Sequence, residues 1–323
     1  MLTRRKMLAV AGGLAGGICL SGLASLRSAP LEPKVPVRFR LPRGACDCHV
    51  HVIGDPRRYR MSPGRDYTPP PATADDLQEM LTVLHMDRVV IVTPTIYDAD
   101  NSVTVDAIRQ LGRDRARGVA IVDEGTPAAS LNVLAMAGIT GIRLFLGGSG
   151  KPDVHALAGR LRRRFALAAR HGWHLEISAP PDVIAAVAGL LGTSPVPLVL
   201  DDFAWLGGGP GQDGFSTVAS LMKSGHVYVK LAEPYRISKE RPDYANLMPL
   251  VHAFVATNPE RVLWGSGWPH VDSGNVAGRA STDLAPDLPD DAGNLLNRLQ
   301  DWVPDEQTRR VILVDNPARL YRF

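Results

Sequence analysis

Eight short β-rich runs separated by helix-length stretches constrain this chain more than any other feature. The runs are 45–52, 88–93, 118–122, 139–145, 173–178, 197–201, 226–231 and 261–266. Between them, residues 74–85 carry Leu77, Met80, Leu81 and Leu84 at the spacing that lays one apolar stripe along a helix, and 154–171, 181–191 and 244–257 read the same way. Strands that alternate with helices pair in parallel, because each helix returns the chain to the same edge from which the last strand started. Eight such units in about 280 residues predict a single (β/α)8 TIM barrel over residues 44–323, rather than a doubly wound sheet. No Gly-x-Gly-x-x-Gly follows the first run, which removes the dinucleotide-binding motif of that alternative. Asp315-Asn316-Pro317-Ala318 reads as the cap of a last helical turn.

Composition excludes several classes of partner. Lysine and arginine number 36 against 33 acidic residues, and Arg4, Arg5 and Lys6 are the only charged side chains before Arg27. Without those three the balance is 33 to 33, and no basic stripe runs along the rest, so nucleic acid and an anionic membrane surface are excluded as expected partners. Residues 1–24 combine that cationic head with an apolar stretch diluted by five glycines, then the small-x-small pair Gly22 and Ala24. The head resembles a twin-arginine export signal, which predicts a periplasmic protein with no stable membrane association once the signal is removed. Residues 25–43, with Pro30, Pro33, Pro36 and Pro42, read as an extended tether. Cys46 and Cys48 are too close for an unstrained disulfide, and alternation sets them opposite His49 and His51 as buried small apolar residues.

A barrel of this kind performs its chemistry where the strands end. Asp47, His49 and His51 share one face of the first strand, so both imidazoles converge on the mouth if that face is interior. Paired imidazoles there can polarise a carbonyl, orient a substrate or hold a divalent metal, with zinc at His49 and His51 as the metal alternative. Strand two ends in Thr93 and Thr95, with Tyr97, Asp100 and Asn101 beyond. Arg143 lies in an apolar strand and needs an anion, either a buried acid or a substrate carboxylate. Glu176 sits one strand away as its natural partner, on the same face as His174 and Ser178. The remaining mouth residues are Asp201 and Asp202, Lys230, Glu233, Tyr235 and Arg236, and Ser266 to His270.

These stretches resemble the amidohydrolase-2 family, nearest its branch of 2-pyrone-4,6-dicarboxylate lactonases. The resemblance is carried by Ala45-Cys-Asp-Cys-His-Val-His51, Tyr67-Thr-Pro-Pro70, Val92-Thr-Pro-Thr-Ile-Tyr97, Gly141-Ile-Arg143 and Gly172-Trp-His174. Further along it is carried by Val229-Lys-Leu-Ala-Glu-Pro-Tyr-Arg236, Trp264-Gly-Ser-Gly-Trp-Pro-His270 and Val314-Asp-Asn-Pro-Ala-Arg-Leu-Tyr321. It implies a metal-free attack of water on a lactone carbonyl, with histidines polarising the oxygen and arginines gripping substrate carboxylates. Three positions depart from the family pattern. Ser178 replaces a strand-five His, Asp202 a strand-six His, and Gly267 the strand-eight Asp that would act as general base.

The expected catalytic residues are therefore His49, His51 and Asp202, with Asp202 taking over as base. Thr95, Tyr97, Arg143, Ser178, Arg236 and His270 are the expected contacts to a small carboxylated substrate, with no bound cofactor. The alternative is a degenerate barrel that binds a small carboxylate without turnover.

Overall fold

The structure, a computed structural model, describes residues 33–146, 153–274 and 277–323. The expected signal, residues 1–24, and the first part of the tether lie outside them. Seven of the eight predicted runs contain one strand and the third, 118–122, overlaps one that starts two residues earlier: β1 Cys46–Val50, β2 Arg88–Val92, β3 Ala116–Ala120, β4 Ile139–Phe145, β5 His174–Ser178, β6 Leu198–Leu200, β7 Val227–Leu231 and β8 Val262–Trp264. All neighbours pair in parallel in the order β1 to β8. The seam closes beyond the short β8. His51 N donates to Trp268 O at 2.8 Å and Gly267 N to His49 O at 2.9 Å. Asp47 Oδ1 accepts from Ser266 N at 2.9 Å, so a first-strand carboxylate completes what main chain alone leaves open. The molecule is a TIM barrel.

Helices cover the outside: α1 Ala74–Val83, α2 Ser102–Leu111, α3 Ala128–Ala137, α4 Val154–His171, α5 Pro181–Ala186, α6 Ala188–Leu191, α7 Phe215–Lys223, α8 Met248–Thr257, α9 Ala292–Trp302, α10 Glu306–Arg310 and α11 Asn316–Tyr321. The predicted 181–191 helix is split at Val187, whose φ of −115° leaves the helical range. Helix α1 starts where Thr73 and Asp76 cap each other's backbone N–H groups. It buries Leu77, Met80 and Leu81, the apolar stripe read from the sequence. Asp315 makes no side-chain cap bond, because a π-helical turn over Val311–Asp315 runs straight into α11. Asn316 anchors that junction instead, donating to Val262 O at 2.8 Å and Pro259 O at 2.9 Å.

Strand residues facing the helices form one large buried cluster, among them Val89, Ile142, Leu175, Leu198, Val229 and Val262. Residues alternating with them, Val90, Val119, Val199, Tyr228 and Leu263, form a second cluster with Cys46, Cys48 and the C-terminal Leu320 and Tyr321. The cysteines are free and buried. The pairing of β1 with β2 shifts register between Asp47 and Val50, so strict alternation fails there. Cys48 therefore joins the inward cluster although His49, its neighbour, also turns to the barrel interior. His174 stacks edge-on against Tyr321 with centroids 5.1 Å apart, far from the mouth.

The described part of the tether carries no helix or strand but is not loose. Asn297, buried on α9, accepts from Arg38 N at 2.8 Å and donates to Pro36 O at 2.9 Å. Asp291 accepts from Lys34 N at 2.6 Å.

Candidate active site

At the centre of the barrel lies a buried ionic hub. Lys230 of β7 places Nζ 2.5 Å from Glu176 Oε2, 3.1 Å from Asp201 Oδ1 and 3.2 Å from His49 Nδ1. Arg143 Nη2 lies 3.3 Å from Asp201 Oδ2, while its Nε is 4.0 Å from Glu176. Although Arg143 and Glu176 are register partners on β4 and β5, the closer cation to Glu176 is the lysine two strands further on. Burial pushes the Glu176 carboxyl up to about 7, with Asp201 adding repulsion and the two cations opposing. Burial would also raise Asp201, but the Lys230 and Arg143 cations beside it hold it well below the usual carboxylate range.

This hub sets the protonation of His49, and the main chain of β2 sets that of His51. Burial, reinforced by Lys230, lowers His49 to about 4, so it is neutral at physiological pH. An ammonium can only donate, so His49 Nδ1 accepts from Lys230, and the ring proton sits on Nε2. Asp201 Oδ1, at 3.6 Å from the same nitrogen, is beyond hydrogen-bond reach. Nε2 is buried with no hydrogen-bond partner among the described residues, an N–H donor ready for an oxygen. His51 is reversed. Its Nδ1 lies 2.7 Å from Val92 O, a pure acceptor, so Nδ1 carries the proton and Nε2 keeps the lone pair. Burial lowers His51 to about 3, so this ring is neutral too. The two rings pack edge to face at 5.0 Å, one offering a donor and the other an acceptor.

A second group lines the mouth. After β6, Asp202, Phe203, Ala204 and Trp205 all have φ between 50° and 58°, a left-handed turn built without glycine. Each such residue costs about 1–2 kcal/mol relative to right-handed backbone, and strain of this kind concentrates where function demands a particular side-chain direction. Glu233 and His270 are strained likewise, at 52° and 58°. Glu233 Oε2 lies 2.5 Å from Arg236 Nε, and the Tyr235 hydroxyl is 2.8 Å from Glu233 Oε1. Asp202 Oδ2 is 3.7 Å from the same Arg236 Nε, and its Oδ1 is buried without a hydrogen-bond partner among the described residues. Burial would raise Glu233, but the Arg236 guanidinium hydrogen-bonded to it holds it far below its ordinary value. Burial and the neighbouring Glu233 push Asp202 well up. Across a shared guanidinium, the surroundings thus favour the ionised form of Glu233 and the protonated form of Asp202.

The remaining expected residues divide. Ser178, at the end of β5, accepts from Trp205 Nε1 at 3.3 Å and steadies the strained turn. Thr95 hydrogen-bonds the side chain of Tyr67. Tyr97 accepts from Gly54 N at 3.1 Å, and burial pushes its phenol up to about 12, so its hydroxyl serves a loop. Arg143 is locked into the hub with 4% of its side chain exposed, whereas Arg236 retains 30%. The described contacts of Arg236 use Nε, leaving both terminal NH2 groups as donors. His270 is buried beside Tyr235, with both ring nitrogens unpartnered among the described residues. Lys230 was the residue sequence reasoning undervalued. Its signal was a lysine inside an apolar strand, the same signal that marked Arg143.

His49, Glu176 and Asp201 each present one donor atom within 4.8 Å of the others, a set whose composition would suit a divalent cation. The set does not fit one with Lys230 in place. The ammonium lies within hydrogen-bond distance of all three and supplies the positive charge that a metal would bring.

Residues 46–323 match the protein family described as Amidohydrolase. The chain is 34% identical over 293 residues to a 4-sulfomuconolactone hydrolase of Hydrogenophaga intermedia, covering 88% of this chain and 91% of that one. It is 30% identical over 306 residues to a 2-pyrone-4,6-dicarboxylate hydrolase of Comamonas testosteroni, covering 90% and 93%. In fold it resembles a crystal structure from Agrobacterium tumefaciens, with a TM-score of 0.76 at 24% identity over 91% of this chain and 98% of the other.

Proposed function

The chain belongs to the amidohydrolase family, and on that premise we propose that it is a lactonase-like hydrolase, opening a small anionic lactone by metal-free attack of water. The observation that carries this reading is the pair of neutral imidazoles with opposite tautomers at the end of β1. His49 Nε2–H donates to the lactone carbonyl oxygen, where negative charge gathers as water adds. Its donor is preorganised, because Lys230 fixes the tautomer from the far side of the ring. His51 Nε2 accepts from the incoming water and orients it. The partly open Arg236, with Thr95 and His270, receives the substrate's anionic substituent. The substrate charge is supported by the two relatives, whose names specify a sulfonated lactone and a pyrone dicarboxylate. Asp202, the sequence candidate for base, is pushed toward its protonated form by burial and by Glu233, which suits it to donate a hydrogen bond rather than to accept a proton. No cofactor is assigned, because the buried ammonium takes the place a metal would need.

Proton release by the purified protein, followed on a panel including 4-sulfomuconolactone and 2-pyrone-4,6-dicarboxylate with and without zinc, tests this. Turnover indifferent to zinc and abolished in His49→Ala is expected. Turnover only with zinc would overturn the metal-free reading. Binding of a lactone acid without turnover would identify a barrel that binds and does no chemistry. Work in the periplasm is part of the same proposal, supported by Arg4-Arg5-Lys6 and the apolar stretch behind it. Arg4→Lys with Arg5→Lys should retain the protein in the cytoplasmic fraction.

A further inference from the structure

β5, β6 and β7 lead to four buried carboxyl groups, and two are already committed, while Asp47 of β1 accepts from the main chain of His49 and Ser266. Glu176 and Asp201 are bound within the Lys230 and Arg143 hub. Of the other two, Asp202 has a buried oxygen with no partner among the described residues, while both oxygens of Glu233 are engaged, by Arg236 and Tyr235. An ionised carboxylate attracts donors in that way, and a neutral acid beside it does not. Glu233 is 3% exposed and is held at φ 52°, a conformation that directs its side chain toward β8. There it meets Gly267. A Cβ built on Gly267 would stand 2.6 Å from Glu233 Cγ, 2.8 Å from the Tyr235 hydroxyl and 3.5 Å from Glu233 Cδ. Position 267, itself at φ 74°, therefore excludes any side chain while Glu233 is in place. The main chain next to that contact is the strand that holds the imidazoles, since Gly267 N donates to His49 O.

We propose that Glu233 is the general base of the hydrolysis, and that position 267 is glycine because the Glu233 side chain and the Tyr235 hydroxyl fill the space beside it. This rests on the lactonase reading given above. Water oxygen bonds to the lactone carbonyl carbon, the carbonyl π pair moves to the oxygen held by His49 Nε2–H, and one water proton passes to Glu233. The carbonyl then re-forms, the ring C–O bond breaks, and Glu233 returns the proton to the departing ring oxygen as a hydroxyl. The new carboxylic acid ionises, so each turnover releases one proton to solvent. The charged and titratable groups facing Glu233 are Arg236 and Tyr235 on its own loop, Asp202 after β6, His49 on β1 and His51 just beyond it, Arg143 on β4, Tyr67, and His270 after β8.

The test measures kcat of the full-length protein on whichever panel lactone it opens, from pH 6 to 9. Glu233→Gln should lose on the order of 10²–10⁴-fold in kcat at pH 7, the range for a missing general base. The deficit should shrink about tenfold per pH unit as hydroxide replaces the assisted water. Because the Gly267 Cβ direction points at the Glu233 carboxylate, Glu233→Ala combined with Gly267→Asp should return a carboxylate to the same place. That double variant should recover at least tenfold over Glu233→Ala, which also controls for loss of folding. A loss below tenfold in Glu233→Gln, or a deficit constant across pH, would overturn the proposal while leaving the lactonase reading intact. A constant deficit would mean that Glu233 only positions Arg236. A wild-type protein that opens no lactone would overturn the lactonase reading and the role of Glu233 with it.

Discussion

Replacing Lys230 with methionine removes the one positive group that touches Glu176, Asp201 and His49 together. Arg143 remains for Asp201 at 3.3 Å but is 4.0 Å from Glu176, so Glu176 is the carboxylate left stranded. Breaking a buried pair by deleting one partner costs about 3–5 kcal/mol, because the remaining charge has no solvent. With an unfolding entropy of about 2.1 cal/mol/K per residue over about 280 residues, that corresponds to a drop of about 5–8 °C in Tm. The deficit must depend on pH in a definite direction. Glu176 already titrates at about 7 in the folded protein, and without the ammonium its pKa moves higher still. The unfolded chain takes up that proton only near the ordinary glutamate value of about 4.3. The folded variant thus gains a proton, and stability, at a higher pH than the wild type does. Its deficit is full at pH 9 and smaller at pH 6.5. Thermal melts of both proteins at the two pH values check this. An equal deficit at both, or one below about 2 °C, would refute the claim that Lys230 holds a buried carboxylate in its charged form.

The same hub makes a metal prediction: millimolar zinc should raise the Tm of Lys230→Ala, which frees three donors within 4.8 Å, and leave the wild-type Tm unchanged. Acid should destabilise the protein modestly. His49, His51 and His174 titrate near 4, 3 and 3 when folded, so between pH 6 and 4.5 the unfolded chain binds three protons that the folded protein refuses. Glu176 at about 7 and Asp47 at about 6 bind two protons only when folded, leaving a net loss near one proton, about 1.4 kcal/mol per pH unit, measurable by urea titration. A rise in stability over that window would contradict these assignments. Gly141→Ala would bring a Cβ to 2.2 Å from the His174 ring and should destabilise by about 1–3 kcal/mol, read by chemical denaturation. Asn297→Ala removes the two side-chain hydrogen bonds to residues 36 and 38 while leaving the Arg38–Asp301 ion pair, and should speed amide exchange of that segment with kcat unchanged.

What the sequence made legible follows from what periodicity can carry. A period of two against 3.6 identified all eight strands, and polar residues on the inward period marked His49, Arg143, Glu176 and Lys230 before any geometry was known. Pairing among them was not legible, because sequence supplies the nearest strand and not the reach of a side chain across a curved interior. Arg143 and Glu176 are opposite each other in register, yet the glutamate sits closer to Lys230, whose long flexible stem crosses the barrel. The cysteines of β1 mislead for a related reason: one register shift cancels the alternation that would have placed them.

The mouth was harder to read because its directions are set by backbone that residue types do not announce. Asp201 and Asp202 are adjacent and chemically identical, but one follows β6 into the hub and the other begins a left-handed turn, so the carboxyl of one is pushed down and that of its neighbour is pushed up. Nothing in Asp-Phe-Ala-Trp favours four consecutive residues at positive φ, and surrounding structure must impose it. The Trp205 to Ser178 hydrogen bond and the packing of Phe203 against Trp302, with ring centroids 6.0 Å apart, are the contacts that do so. Gly267 is the counterpart. Read along the chain it is a missing carboxylate, and read in space it is the clearance that the Glu233 side chain and the Tyr235 hydroxyl, from the loop after β7, require. A loss in one strand and an acid in another are a single arrangement, visible only where β7 and β8 meet.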